Sequence, residues 1–579
     1  MYVAPLKDIR FTLDHMVDSG KLVQTQKFAE ASAETRDAVI TEAGKLCEGV
    51  LAPLNHPGDI QGARLENGVV RTPDGFPEAY EEIAQGGWIA MAASEEHGGM
   101  GLPLTYQSAV NEMMASSCLS ISLNPLMTQG QIEALEAHAS PELQAIYLPK
   151  LLSGEWTGTM NLTEPQAGSD VGALNTKAVP NGDGTYAITG GKIWISWGDH
   201  DVAANVSHLV LARLAGAPPG VRGISLFLVP KFIPDANGEP GVRNGLQVVS
   251  LDHKLGLHGS PTCVMAYEGA TGWLVGEENH GLACMFTMMN NARLGVGLQG
   301  IGVAEAAYQK ALAFATDRKQ GKTPPFEGGS GAIVDHADVR RMLILMKAQT
   351  QAARAIAYDC ALHLDLAHAA ETEEERRSAE AMSAFLTPIA KAFGTDTGNE
   401  VAHLGVQVHG GMGFIEETGA AQYSRDVRVT AIYEGTNGIQ AMDLVGRKLS
   451  MDAGQTAFAY VASRAEIAEA LSGSENPALQ AVGKAIASAA SKAKGVTQWM
   501  LDADQNDRNA GAVAYLRLLA LLGGASYLGR GAMATGDPVR IELARFFADV
   551  LLPQAHAMGQ AAVQGASGLY ALSPDDLAA

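Results

Sequence analysis

The 579-residue sequence predicts a multidomain, mainly α-helical protein with an antiparallel β domain set into its middle. Three observations carry this prediction. Apolar residues recur at three- and four-residue spacing on both sides of the centre, as on one face of a helix. Between about residues 156 and 285 the pattern changes to short alternating or β-rich runs separated by Gly, Asn and Asp turns. Beyond residue 450 the chain becomes Ala-rich and reads as a helical extension. With 47% hydrophobic residues, a chain of this length has material for roughly three or four domains.

Residues 1–155 form the expected N-terminal helical domain. Within it, TQKFAEASAETRDAVITEAGKLCEGVLAPLNHPGD carries a helical period and then a Pro/Gly stop. The stretch from Gly58 to Gly75 reads as a loop or short hairpin. The β domain spans 156–285. There TKAVPNGDGTYAITGGKIWISWGD alternates around turn residues, and HLVLARL and GISLFLVP are short strands. Helices return over 286–450, where VRRMLILMKAQTQAARAIAYDCALHLDLAHAA predicts one long amphipathic helix. Residues 451–579 are read as structural helix, with breaks at Pro477 and near Gly523. No 20–50-residue repeat is visible.

A net charge of −22 argues against nucleic acid and anionic membrane surfaces as partners. Cys47, Cys118, Cys263, Cys284 and Cys360 are scattered, with no CxxC pair. That pattern opposes a disulfide framework or zinc cluster and favours a reducing cytoplasm. Lys7, Asp8 and Arg10 stand where a signal peptide needs an apolar run, and no 18-residue apolar run is read elsewhere, so no membrane entry is expected. His97, His200, His253, His258 and His409 are isolated from one another, and no HExxH occurs, so no metal site is expected.

Two motifs are decoys. GVGLQG at 295–300 fits a dinucleotide fingerprint, but helical sequence precedes and follows it, so Gly295, Gly297 and Gly300 are assigned to close helix packing. HGGMG at 409–413 has the form of an esterase oxyanion loop, but the chain lacks a G-x-S-x-G elbow; Ser196 comes nearest, with Trp194 in the first glycine position. MNLTEPQAGSDVGALNT at 160–176 is more informative. Its turns expose N–H groups suited to carbonyl or phosphate oxygens, and the Thr163 hydroxyl suits a heterocycle. GGKIWISWG places Trp194 and Ser196 on one strand face, where the Trp reads equally as core or as a wall for a planar ring. In AIYEGTNGIQ, Glu434 stands alone between an apolar segment and a turn, which suits either a solvated loop acid or a catalytic carboxylate.

Taken in order, LTEPQAGSD, GGKIWIS, HGGMGF and IYEGTNGIQ resemble the acyl-CoA dehydrogenases, and GGWIAMAASEEHGGMGLP at 86–103 looks like that family's first domain. The resemblance covers about residues 30–450. The opening MYVAPLKDIRFTL and the long tail look like a longer subgroup, similar to the 3-methylmercaptopropionyl-CoA dehydrogenases of dimethylsulfoniopropionate breakdown. The resemblance implies a helical domain, a β domain and a four-helix bundle, with FAD between the last two. It implies that Leu162, Thr163, Trp194 and Ser196 face the isoalloxazine ring and that Ser169 touches the pantetheine arm. Arg318 matches the arginine that reaches the FAD pyrophosphate across a subunit interface, although Gln320 and Gly321 replace the usual Phe-Gly after it. Gln407, Gly410 and Gly411 match the residues that hold the adenylate part from the partner chain, and Thr436 matches a further FAD contact. Asn290, in place of the usual aspartate, and Arg293 fall where the family touches CoA. Glu434 falls on the catalytic base; the alternative base position is Ala292, which cannot serve.

The implied chemistry suits these residues. A thioester α-proton is weakly acidic, so its removal needs a close carboxylate, a pKa raised by an apolar wall such as Ile432 and Tyr433, and hydrogen bonds to the thioester oxygen. Gly435 leaves room for close approach. The β-hydrogen leaves as hydride to flavin N5, and an electron-transfer flavoprotein is the expected acceptor. The expected reaction is α,β-dehydrogenation of a short acyl-CoA, with 3-(methylthio)propionyl-CoA preferred. A general short- or medium-chain dehydrogenase, an oxidase passing electrons to oxygen and a non-catalytic acyl-CoA- or protein-binding relative stay open. The tail, by covering a surface that shorter members use for tetramer contact, leaves a homodimer as the expected assembly.

Overall fold

The computed structural model describes residues 2–324 and 329–579. They fall into two compact units. One comprises Glu42–Leu102 and Ser117–Ala292, and the other takes in the described parts of Met1–Thr41, Pro103–Ser116 and Arg293–Ala579.

In the first unit, β1 (Arg64–Glu66) and β2 (Val69–Arg71) form a hairpin. Its turn residues Asn67 and Gly68 both have positive φ, 53° and 76°, as a two-residue primed turn requires. The hairpin expected over 58–75 is therefore present, but the helical path into it differs. Helix starts at Ala33 rather than Thr25, and the expected Pro/Gly stop does not act. Pro57 and Gly58 lie inside the helix Ala52–Gln61, which ends at Gly62. A Cβ on Gly58 would lie 2.8 Å from the Phe76 ring, so this glycine serves packing rather than chain reversal.

The central sheet contains β3 (Trp156–Asn161), β4 (Lys177–Pro180), β5 (Tyr186–Ser196), β6 (Asn205–Leu214) and β7 (Ile224–Pro230). A small ribbon, β8 (Phe232–Pro234) with β9 (Pro240–Arg243), precedes β10 (Leu246–Leu251) and β11 (Thr262–Val275). The order is β10-β11-β5-β4-β6-β3, and β7 pairs with both β11 and β6, so five strands close a ring. Ile188, Ile195, Val210, Phe227, Met265 and Tyr267 fill its core. The sheet is mixed rather than wholly antiparallel, because β3 and β4 each run parallel to β6. Side-chain alternation has the same period in either direction, so the sequence pattern did not distinguish them. The strands end at Val275, and helix resumes at Gly281 rather than 286.

The second unit is helical. The helix Gly281–Asp317, from Arg293 onward, packs against Glu373–His409. GVGLQG lies inside the first of these helices, as the packing assignment required. A Cβ on Gly297 would stand 2.8 Å from Ala390 O, leaving space for backbone alone. Ala337–Ala369 is the expected long helix, and a Thr372–Glu375 capping box starts the helix that follows it. Arg354, wholly buried, bonds Glu112 and Glu305 at 2.7 and 2.9 Å and ties three helices together.

The tail forms helices Gln455–Ser472, Pro477–Asp502, Gln505–Thr535, Pro538–Phe546 and Gln554–Ala562, besides a short terminal turn. The break expected at Pro477 is present, where a new helix starts, but Gly523 lies inside a helix and does not break it. A Cβ at Gly523 would meet the Tyr460 hydroxyl at 2.1 Å, and one at Gly524 would meet Ala352 at 2.8 Å, so these glycines admit neighbouring helices. The helix Gln505–Thr535 has no uninterrupted 18-residue apolar run, since Arg517 and Arg530 lie within it, but its mean hydropathy is high. It is long and apolar enough to cross a membrane by length and composition, yet 83% of its apolar window is buried inside the fold.

Candidate active site

Glu434 follows the 3₁₀ turn Arg428–Ala431 and precedes the helix Asn437–Asp443. Its φ of 55° lies in the left-handed region that a Cβ disfavours, and Gly435 follows at 81°. A non-glycine residue keeps such a conformation only where its surroundings impose it. Here they do. Gln440, wholly buried, donates from Nε2 to Glu434 O at 3.1 Å. Lys391, wholly buried on the helix Glu373–His409, donates to Gly435 O at 2.9 Å and to Asn437 Oδ1 at 3.0 Å. Asn437 in turn donates to Asp396 Oδ1 at 2.7 Å. Thr436 caps the following helix by accepting from Ile439 N at 3.2 Å. A Cβ on Gly435 would lie 2.7 Å from Gln440 Nε2, so both conformation and space demand glycine.

The Glu434 carboxylate is half-buried, and among the described residues it takes neither a hydrogen bond nor an ion pair. Burial pushes its pKa up to about 7, against the opposing pull of the Arg293 and Lys391 cations. A carboxyl titrating near neutrality with unoccupied oxygens is equipped to take a proton at physiological pH. Arg293 is buried, with Nη1 3.7 Å from Asp443 Oδ2. The expected apolar wall needs correction. Tyr433 turns inward and donates its hydroxyl to Gln299, but Ile432 is 49% exposed and supplies no wall in this chain. The turn directs these neighbouring side chains differently, which a run of two apolar residues does not reveal.

In the β unit, LTEP and GGKIWIS are joined side by side. Ile193 N donates to Thr163 O at 3.0 Å, and Lys192 Nζ donates to Leu162 O at 3.0 Å. Between Lys192 and Ile195 the register of β5 slips against β11, forming a bulge. Trp194 sits in it at φ 61° and is 62% exposed, while Ile195 enters the core. Of the two readings of Trp194, core is therefore overturned. The Thr163 and Ser196 hydroxyls have no hydrogen-bond partner among the described residues.

At the far end of the helical pair, Phe314 stacks on His409 with ring centroids 4.4 Å apart. That contact draws the end of the helix Gly281–Asp317, followed by exposed Arg318, toward exposed Gln407, Gly410 and Gly411. Gly410 has φ 59°, and open space surrounds both glycines. Ser169 and Asn290 are exposed, whereas Ala292 is buried and carries only a methyl group.

Four family models match successive segments. Acyl-CoA dehydrogenase N-terminal, middle and C-terminal domains cover residues 36–155, 159–270 and 279–449, and the acetyl-CoA dehydrogenase C-terminal-like model covers 461–573. A 3-methylmercaptopropionyl-CoA dehydrogenase of Ruegeria pomeroyi is 47% identical over 92% of this chain and 91% of its own length. The chain belongs to the acyl-CoA dehydrogenase family. A butyryl-CoA dehydrogenase of Syntrophomonas wolfei is 36% identical over 78% of this chain and 77% of its own length. The crystal structure of a Bacillus anthracis acyl-CoA dehydrogenase with FAD shares the fold, with TM-score 0.75 and 21% identity over 93% of this chain and 90% of that one. The resemblance extends to the longer subgroup named by the Ruegeria relative.

As an acyl-CoA dehydrogenase the protein is an FAD-dependent oxidoreductase acting on a CH–CH bond. Its residues fit that cofactor. An exposed indole beside two hydroxyls that have no partner among the described residues suits a flat heterocycle with polar edges, and an exposed arginine near open, glycine-bounded backbone suits a pyrophosphate.

Sequence reading missed the residues that hold the site in shape: Lys391, Gln440, Asn437 and the buried pair Glu164–Lys192, 2.8 Å apart. A signal existed for two of them. Lys192 in GGKIWI and Lys391 in TPIAKAF are cations at inward positions of apolar segments, and a buried lysine needs a partner.

Proposed function

We propose that this acyl-CoA dehydrogenase converts 3-(methylthio)propionyl-CoA to 3-(methylthio)acryloyl-CoA, with Glu434 as the base that removes the α-proton. The observation carrying this reading is the Glu434 carboxyl group: unpaired among the described residues, with a pKa of about 7, on a left-handed turn fixed by buried donors. The substrate assignment is supported by the Ruegeria relative, which carries that substrate in its name.

The residues divide the work. Glu434 takes the α-proton. Arg293, with Ser169 and Asn290, binds the CoA portion. Trp194, Leu162, Thr163 and Ser196 orient the flavin ring, while Arg318, Gln407, Gly410, Gly411 and Thr436 bind the rest of FAD. Held by these residues, FAD would supply the hydride acceptor for the β-hydrogen. An electron-transfer flavoprotein then receives the electrons. The working protein is a cytoplasmic homodimer that binds neither nucleic acid nor membrane.

The test is anaerobic flavin bleaching across a panel of acyl-CoAs. The 3-(methylthio)propionyl thioester is expected to bleach with the highest kcat/KM. Glu434→Gln is expected to retain flavin and bleach at least about 1,000-fold more slowly, about 4 kcal/mol of barrier. Bleaching by that variant at the parent rate would reject the base assignment, and a preference for butyryl-CoA would reject the substrate. Sedimentation at the mass of four chains would reject the dimer.

A further inference from the structure

We propose that Lys391 is a positioning residue for the base: its ammonium clamps the Glu434–Gly435 turn and thereby sets both where the carboxylate stands and how readily it ionises. The inference rests on the reading of Glu434 as base and adds a residue to it.

Four observations converge on this lysine. It is wholly buried, a costly place for a cation, and both its polar contacts end on the turn: Gly435 O at 2.9 Å and Asn437 Oδ1 at 3.0 Å. Asn437 is itself fixed by Asp396 at 2.7 Å and by Thr395 Oγ1 at 3.0 Å, so the ammonium meets an acceptor that is already oriented. The turn it holds is one that Glu434 would not adopt unaided, at φ 55°. Finally, Lys391 is one of two cations whose field favours the charged form of Glu434; Arg293 is the other. The charges facing these groups from neighbouring elements include Asp396, which draws on Lys391 as Glu434 does, Asp443, which pairs with both Arg293 and Arg447, and Lys448, which faces Asp443 and Arg293. Burial lowers the Lys391 pKa to about 8, with Glu434 and Asp396 opposing that shift. The ammonium is therefore still charged near neutrality, where Glu434 must release its own proton. Gln440 holds the preceding carbonyl, so among the described residues the turn's carbonyls have two side-chain donors, of which the lysine alone carries charge.

A structural lysine and a positioning lysine predict different pH profiles. In Lys391→Met the saturating bleaching rate is expected to fall about 100-fold, the scale of a misplaced catalytic group, with KM for acyl-CoA within about threefold of the parent. The pH midpoint of bleaching should move upward, because the lost cation favoured the carboxylate. Lys391→Arg should bring the midpoint back while leaving the rate low. A crystal structure of the Met variant should show Glu434 outside the left-handed region. Bleaching within threefold of the parent, or a rate loss with an unmoved midpoint, would overturn the proposal. If the Met variant does not accumulate as a flavoprotein, Asn437→Ala removes one of the two acceptors and should lower the rate about 3- to 10-fold; an unchanged rate there would equally overturn it. Glu434→Gln measured in parallel separates the two readings: full bleaching by that variant removes the base assignment, whereas its inactivity beside an active Lys391→Met removes this inference alone.

Discussion

Gly300 stands so close to Gly394 that a Cβ on the first would lie 2.4 Å from the carbonyl oxygen of the second. The contact is repeated one turn on, where a Cβ on Gly398 would lie 2.6 Å from Gly300 O. These glycines set the distance between the helix following Arg293 and the helix carrying Lys391. Gly300→Ala is therefore expected to force the pair apart and destabilise the protein by about 1–3 kcal/mol, the usual scale of overpacking. Chemical denaturation reads this directly, and a midpoint equal to the parent's would contradict it.

The pH dependence of the reaction follows from Glu434. Its pKa of about 7 means that below neutrality the group is mostly protonated and cannot accept the α-proton. The bleaching-limited kcat/KM should rise about tenfold per pH unit at low pH and level off above about pH 7 to 8. A profile already flat at pH 5 would show that a carboxyl with an ordinary pKa does the work.

Glu164 of LTEP and Lys192 of GGKIWIS form a buried ion pair. Breaking it with Lys192→Met strands a carboxylate that also receives Asn175 N at 2.7 Å and Thr176 Oγ1 at 2.6 Å, and should cost about 3–5 kcal/mol. The sign with pH is fixed. Burial raises the Glu164 pKa, but Lys192 and these donors outweigh it and hold it down to about 2. The folded value thus lies below the ordinary 4.5, so its stabilisation is present above that pH and is lost as pH falls toward 2. The Tm difference between parent and variant should shrink over that interval; a constant difference would argue against the pair.

Trp194 separates stability from binding. Being 62% exposed, it contributes little packing, and Trp194→Ala should change unfolding free energy by less than about 0.5 kcal/mol. Flavin retention should fall about tenfold, the loss of roughly one aromatic contact. Reconstitution of apoprotein with FAD, followed by flavin fluorescence, measures it. Undiminished affinity would remove Trp194 from the cofactor site.

Much of this was legible in the chain itself. GVGLQG was assigned to helix packing because helix surrounds it, and the Gly297 contact with Ala390 bears that out. The long helix Ala337–Ala369 follows from its apolar period, and the break at Pro477 follows from proline's poor fit to a helix interior. The misreadings share one cause. Gly58 and Gly523 read as breaks because glycine favours turns, but each is small to admit a neighbour distant in sequence, Phe76 in one case and Tyr460 in the other. Likewise Ile432 was counted as an apolar wall because it is apolar, though the turn faces it outward.

The amino-acid order alone determined the succession of helical, β and helical segments, the acyl-CoA dehydrogenase motifs and the carboxylate at 434, because periodicity and motif spacing are local properties of a chain. Tertiary structure decided how that carboxylate behaves. Its raised pKa comes from burial, and its backbone geometry comes from Lys391, 43 residues earlier in numbering, and from Gln440. Burial depends on how the fold packs around the turn, and the lysine contact on which residue remote in the chain it brings within about 3 Å, a distance that hydrogen bonds require and local sequence does not encode.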